Sequence, residues 1–253
     1  SYNPARGEFG QSISACSLSY AVDGSTKTVK LSNEGVKEYY QDCRYADSFV
    51  NFHQILLSPS YIEHQGYYYL ALSVWCCPQF RPVVLKTRDF INYEVAFICR
   101  EFTYGGSEVS ITIFDNDLYV LSRSTRPEDK SRAGCYMAKY SLDGKCLVEP
   151  WKIGDKESRP VLYASGGTLY AIYNVMPEYL DNGKKVNRSH IRISAIDKHA
   201  NSVFGWDLTF EDSFQYYELF RYKDRNYIVF IEDRQKVANG SRKGNLAIME
   251  LNL

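Results

Sequence analysis

The sequence predicts an all-β chain folded as a β-propeller, and three observations carry that prediction. Four tyrosine-centred apolar runs recur at 66–74 (GYYYLALSV), 117–122 (DLYVLS), 167–174 (GTLYAIYN) and 226–232 (NYIVFIE). Their equivalent tyrosines, Tyr69, Tyr119, Tyr170 and Tyr227, lie 50, 51 and 57 residues apart, each after a tight polar turn (HQG, DND, SGG, KDR). A second rhythm is set by turns carrying aspartate at Asp23, Asp89, Asp143 and Asp197, the last three spaced by 54 residues. Finally, helical pattern is nearly absent, confined to a short connector at 33–40 (NEGVKEYY). Several short strands per unit, repeated at roughly 50 residues, are the signature of propeller blades.

Each unit reads in order as an inner strand, a polar turn, a middle strand, a third strand, an aspartate turn and an outer strand. The segments before the aspartate turns (PVVLKT, CYMAKYS, HIRISAI) alternate with period two, as hairpin strands do. The units fall at about 49–98, 99–150, 151–207 and 208–253 of one propeller domain, 1–253. Residues 12–34, within a partial unit at about 12–48, match only the back half of a unit, and the last unit stops after its third strand. Five blades closed by mixing N- and C-terminal strands are favoured; six are expected if the sequence lacks an upstream piece. Long loops are expected after the middle strands at 75–80 (WCCPQF), 124–133, 175–187 and 233–242. In a propeller these share one face, where ligands are expected. Trp75 and Phe80 would there be placed to stack on a sugar ring.

Composition narrows the function. With 30 basic and 30 acidic residues, the chain advertises no basic face for nucleic acid. It has no apolar run long enough for a membrane-spanning helix, and SYNPARGEFG is not a signal peptide. The 7 cysteines are scattered without a C-x-x-C pair or matching histidines, so neither a metal nor another cofactor is expected, and the thiols are read as buried small hydrophobes. The Gly-His…Trp-Asp pairs of WD repeats and the paired glycines of kelch repeats are absent, which disfavours a protein-interaction propeller of those kinds.

The hairpins resemble those of glycoside-hydrolase propellers. SPSYIEHQGYYYLALS (58–73) and TRDFINYE (87–94) are similar to segments of the arabinanase/xylosidase-type five-bladed enzymes. The aspartate turn also resembles a worn sialidase Asp-box, with Thr87 and Asp89 in place and Ile91 where glycine belongs; capping its own turn suffices to explain the aspartate.

The last three units resemble the sialidase (neuraminidase) family. SEVSITIFDNDLYVLSR supplies Glu108 and Arg123, NRSHIRIS supplies Arg188, and YYELFRYKDRNYIVFIE supplies Tyr216, with Tyr217 as the alternative register, and Glu232. The resemblance implies that Tyr216 is the nucleophile and Glu108 takes its proton, with Arg123 and Arg188 gripping a substrate carboxylate by their planar forks. Arg159, in Ser-Arg-Pro before an inner strand, is a further candidate for an anionic group. Two parts of the pattern differ: Leu57-Ser58-Pro59 has leucine where the family's first arginine stands, and WCCPQF offers no acid/base aspartate. The arabinanase-type pattern departs at the same place, with Ser58 where its catalytic aspartate precedes proline. The implied function is a sialidase-like retaining glycosidase acting on terminal glycans, secreted or periplasmic. The alternatives are a catalytically inactive glycan-binding propeller or an arabinanase-type glycosidase.

Overall fold

The computed structural model describes residues 2–3, 8–9, 15–22, 25–32, 55–76, 79–90, 92–103, 105–124, 132–154, 159–175, 190–197, 201–209, 213–236 and 242–253. Two small hairpins come first: β1 (Tyr2–Asn3) pairs β2 (Glu8–Phe9), and β3 (Ala15–Val22) pairs β4 (Ser25–Ser32). Blade 1 follows as β5 (Ile55–His64), β6 (Tyr67–Cys76), β7 (Gln79–Thr87) and β8 (Tyr93–Ile98). Blade 2 holds β9 (Ser107–Phe114), β10 (Asp117–Arg123), β11 (Cys135–Tyr140) and β12 (Cys146–Gly154). Blade 3 holds β13 (Val161–Ser165), β14 (Thr168–Val175), β15 (His190–Ile196) and β16 (Ser202–Thr209). Blade 4 holds β17 (Ser213–Tyr222), β18 (Arg225–Lys236) and β19 (Arg242–Leu251).

Every blade is an antiparallel meander in chain order, and the first strands line up side by side: β9 touches β5 and β13, and β13 touches β17. This is the propeller arrangement, with inner strands toward the axis. The hairpin of β3 and β4 lies against β5, beside blade 1. Among the described strands β19 pairs only with β18, and β3 and β4 form a sheet of their own. The connector at 33–40 lies outside the described residues.

The turns explain the regularity. In each blade a two-residue turn joins first and second strands, and both turn residues have positive φ: Gln65 and Gly66, Asp115 and Asn116, Gly166 and Gly167, Lys223 and Asp224. Such turns twist the way paired strands twist, which is why Gly, Asn and Asp crowd there. Directly after them the second strands bury both faces. In β10, Leu118 and Val120 join a cluster with Tyr69, Ala71 and Val84 of blade 1. Their alternates Tyr119 and Leu121 join Leu162, Leu169 and Ala171 of blade 3. Tyr170 and Ile172 then pack with Tyr217, Ile228 and Phe230 of blade 4. Two buried faces call for an unbroken apolar run, and that produced the repeated motif in the sequence.

Polar ties reinforce the stacking. The Leu162 amide donates to Ser110 Oγ at 2.9 Å, from blade 3 to blade 2. Buried Asn226 of blade 4 accepts from Tyr163 (2.7 Å) and Ser165 (3.0 Å) of blade 3, while its amide donates to the Leu253 carbonyl at 3.3 Å. Gly154 lets blade 2 approach blade 3 closely, since a Cβ there would stand 2.6 Å from the Tyr173 ring.

Two sequence expectations change. The segment WCCPQF is not a long loop: β6 and β7 keep pairing through Trp75 with Phe80 and Cys76 with Gln79. Its aromatic and cysteine residues suit a strand, and they extend the ladder. The evenly spaced aspartates are also not equivalent, for Asp89, Asp143 and Asp197 stand two, three and one residues beyond Thr87, Tyr140 and Ile196, where their strands end. All three cap their own turns. Asp89 accepts from the Asn92 amide (2.8 Å), Asp197 from the Asn201 amide (2.8 Å), and Asp143 from the Ser141 hydroxyl.

Buried titratable groups give the fold an alkaline limit. Tyr140 is fully buried between blades 1 and 2 and donates to Glu101 Oε2 at 2.8 Å. Burial first, then the neighbouring Cys99 and Glu101, push its phenol far above the ordinary value of 10.0. A raised folded-state value means that the contribution is complete below the unfolded value and is lost as pH climbs beyond it, because the unfolded chain releases the proton first. The thermal midpoint is therefore expected to stay level to about pH 9 and to fall from about pH 10 upward, less steeply in Tyr140→Phe. Calorimetry across that range checks it.

Candidate functional site

The end of each blade away from the two-residue turns forms a mouth around the axis, and its equivalent positions can be counted back from the hairpins. Six residues before the last residue of each first strand stand Ser58 (before His64), Glu108 (before Phe114), Arg159 (before Ser165) and Tyr216 (before Tyr222). Residues read separately from sequence thus lie at the same end of their blades.

Three of the four positions are bulged. Between Leu57–Leu72 and Tyr61–Leu70 pairing, Ser58, Pro59 and Ser60 oppose Ala71 alone. Glu108 and Val109 together oppose Ser122. Tyr216 and Tyr217 together oppose Phe230. A bulge bends its strand and re-aims side chains, and such irregularities concentrate beside active sites. Glu108 also has φ of 52°, a left-handed conformation that costs a non-glycine residue about 1 kcal/mol.

The bulge brings the Glu108 carboxylate against Arg123, whose Nη1 donates to Oε2 at 2.7 Å; the two side chains are 25% and 22% exposed. Arg123 is the last residue of β10 and pairs with Ser107, so its position follows from the hairpin register. A second ion pair spans two blades, from Arg159 of blade 3 to Glu218 of blade 4. Beside it the Tyr217 hydroxyl donates to the Arg159 carbonyl at 2.7 Å and to the Ile172 carbonyl at 3.4 Å.

These placements sort the candidates. Glu108 and Arg123 come together, and Arg159 lies just before β13, at the mouth end of the next blade. Tyr217 is 1% exposed, a blade-to-blade clasp rather than a side chain open to the mouth. The backbone of Tyr216 lies in the β17 bulge, that of Glu232 pairs with Phe214 at the mouth end of β18, and that of Trp75 pairs with Phe80 one residue before the end of β6; their side chains lie outside the description. Arg188 lies outside the described residues altogether. Glu218 was not singled out from sequence; its role depends on a partner in another blade, which no local spacing signals.

The chemistry available is a carboxylate on a strained, bulged strand and two guanidinium groups, each already facing a glutamate. Arg123 and Arg159 are thus charge-balanced by Glu108 and Glu218, so an anionic ligand would compete with a resident carboxylate for each fork.

Solved structures of carbohydrate enzymes share the fold. A GH43_1 enzyme from Xanthomonas citri, solved with xylotriose, superposes with a TM-score of 0.54 at 12% identity, covering 77% of this chain and 74% of its own. An exo-β-1,3-galactanase from Clostridium thermocellum gives 0.55 at 10% identity, over 70% of this chain and 46% of that one. A GH32 β-fructofuranosidase from Bombyx mori gives 0.52 at 12% identity, over 76% and 47%. The fold is that of glycoside-hydrolase propellers. At these identities the likeness is one of fold, and this chain spans about half the length of the latter two. It supports the arabinanase/xylosidase-type resemblance; the sialidase resemblance stays with the individual residues. No protein-family model and no curated protein matches the sequence. Among the described residues no helix is long and apolar enough to cross a membrane.

Proposed function

We propose that this chain is a glycoside hydrolase of the arabinanase/xylosidase type, with its site at the mouth and Glu108 as the acid/base carboxylate. The observation that carries the reading is the left-handed bulge at Glu108, near the start of β9 in a fold shared with GH43 and GH32 enzymes. A propeller does not require a strained glutamate for stability, and strain of this kind collects at functional sites. Arg123 positions the carboxylate, and Glu218, held by Arg159, supplies the second carboxylate that glycoside hydrolysis ordinarily needs. Because both guanidinium groups are balanced, the substrate class is neutral glycans. The reading implies a location where such glycans occur, secreted or periplasmic, which cell fractionation tests.

The decisive experiment is a panel of aryl glycosides: α-L-arabinofuranoside, β-D-xyloside, β-D-galactoside and a sialoside. Release from one of the neutral members supports the reading, and release from the sialoside alone overturns it. The second reading, a sialidase-like retaining enzyme with Tyr216 as nucleophile, is favoured by Glu108, Arg123 and Tyr216 lying at the same end of their strands. In it Tyr216→Phe lowers sialoside turnover by at least about 100-fold, since the hydroxyl forms the covalent bond. Under the neutral-glycan reading the same substitution leaves turnover within about threefold, a change of less than 1 kcal/mol in the barrier.

A further inference from the structure

At the opposite end of blade 1, beside the two-residue turn, a cleft of about 340 Å³ opens between Tyr67, Lys86, Arg88, Asn92, Tyr93 and Glu94. The repeat shows what is unusual about it. Tyr67 is the first residue after its turn, the place held by Asp117 in blade 2, and Lys86 pairs with Tyr69 as Lys139 pairs with Tyr119. In blade 2 the lysine closes on that aspartate at 2.6 Å. In blade 1 tyrosine replaces the aspartate, and Lys86 turns instead to Glu94 at 3.3 Å. Arg88 comes in beside it, its guanidinium 4.3 Å from the Tyr67 ring centroid and Nη2 donating to the phenol oxygen at 2.8 Å.

The walls are held in place before any ligand arrives. Asp89 accepts from the Asn92 backbone amide (2.8 Å) and from its side-chain amide (2.7 Å), and the Tyr93 hydroxyl donates to the Phe90 carbonyl at 3.1 Å. Preformed walls spare a ligand the cost of ordering them. The formal charges around the cleft cancel, Lys86 and Arg88 against Asp89 and Glu94, so the cleft exerts no net pull on an anion. What it presents is tyrosine surface, with Arg88 and Lys86 already lying over the Tyr67 ring, flanked by polar groups on exposed side chains: the remaining N–H groups of Arg88, the amide of Asn92 and the carboxylate of Glu94. That combination fits the C–H faces and paired hydroxyls of a sugar ring.

We propose that this cleft is a second saccharide-binding site, remote from the mouth, that holds a stretch of neutral polysaccharide. It stands whether or not the mouth hydrolyses anything.

Affinity electrophoresis in native gels tests it, with soluble arabinoxylan and linear arabinan as neutral probes and polygalacturonate as the anionic control. The wild-type protein is expected to be retarded by at least one neutral polymer. Arg88→Ala, an exposed change, is expected to raise the apparent Kd about tenfold, as for loss of one hydrogen bond to a charged group. Its thermal midpoint and its turnover of small aryl glycosides should stay at wild-type values, and retardation should persist in the mouth variant Glu108→Gln. The site is refuted if no neutral polymer retards the wild type, if Arg88→Ala is retarded like the wild type, if Glu108→Gln abolishes retardation, or if only polygalacturonate binds.

Discussion

Glu108→Gln is expected to lower turnover of the neutral aryl glycoside that the protein accepts by about 10²–10⁴-fold, the range supplied by a positioned acid or base. The amide keeps the size of the side chain and can still accept from Arg123, so the fold and substrate binding should persist while proton transfer fails. Steady-state kinetics should therefore show a loss in kcat with little change in KM. A companion change separates chemistry from backbone. At φ of 52° glycine relieves strain that glutamate bears, so Glu108→Gly should be inactive yet cost little stability, unlike glycine elsewhere in a strand. Equal turnover in Glu108→Gln and wild type would remove Glu108 from the reaction.

The largest effect on stability is expected at the seam between blades 2 and 3. Leu121 has no exposed surface and packs among Leu162, Leu169 and Ala171 across that seam. Leu121→Ala should cost about 2–5 kcal/mol, the sum of lost burial and the cavity left where two sheets cannot close up. The matching control is Leu246 of blade 4, 73% exposed, whose replacement by alanine should stay within about 0.5 kcal/mol. Urea denaturation of both variants measures the contrast. A Leu121→Ala loss no larger than that of Leu246→Ala would mean that the blades do not rely on this core.

The architecture was legible because it is written locally. Alternation, a two-residue turn and a doubly buried strand all lie within about twenty residues of each other, and the beat of Tyr69, Tyr119 and Tyr170 repeats them. The site was legible only in part. Glu108 and Arg123 were found through the sialidase resemblance, whose motif lies within one hairpin, and the structure joins them across that hairpin of one blade. The bulges could not be read, since an extra residue in a strand leaves composition and periodicity almost unchanged. Nor could the clasp between Tyr217 and Arg159, 58 residues apart, because stacking of separate sheets creates it. WCCPQF was misjudged for a different reason: its place after a middle strand suggested a loop, while the ladder carries the strands on to Cys76 and Gln79. The equal aspartate spacing came from unequal offsets that happened to sum alike, and only the ladder registers expose that coincidence.

The three described core clusters are each shared by two neighbouring blades, and none of them spans three. Mechanically the molecule behaves as a row of dominoes more than as one solid, with each sheet sensing only the sheet on either side. Among the described residues, a defect between blades 3 and 4 reaches Glu108 by relay through the contacts of blade 2 with blade 3, Leu121 and the Leu162–Ser110 bond among them. Sequence change in the last blade away from Glu218 can accordingly accumulate, altering what the rim admits, while the Glu108 carboxylate two blades away keeps its posture.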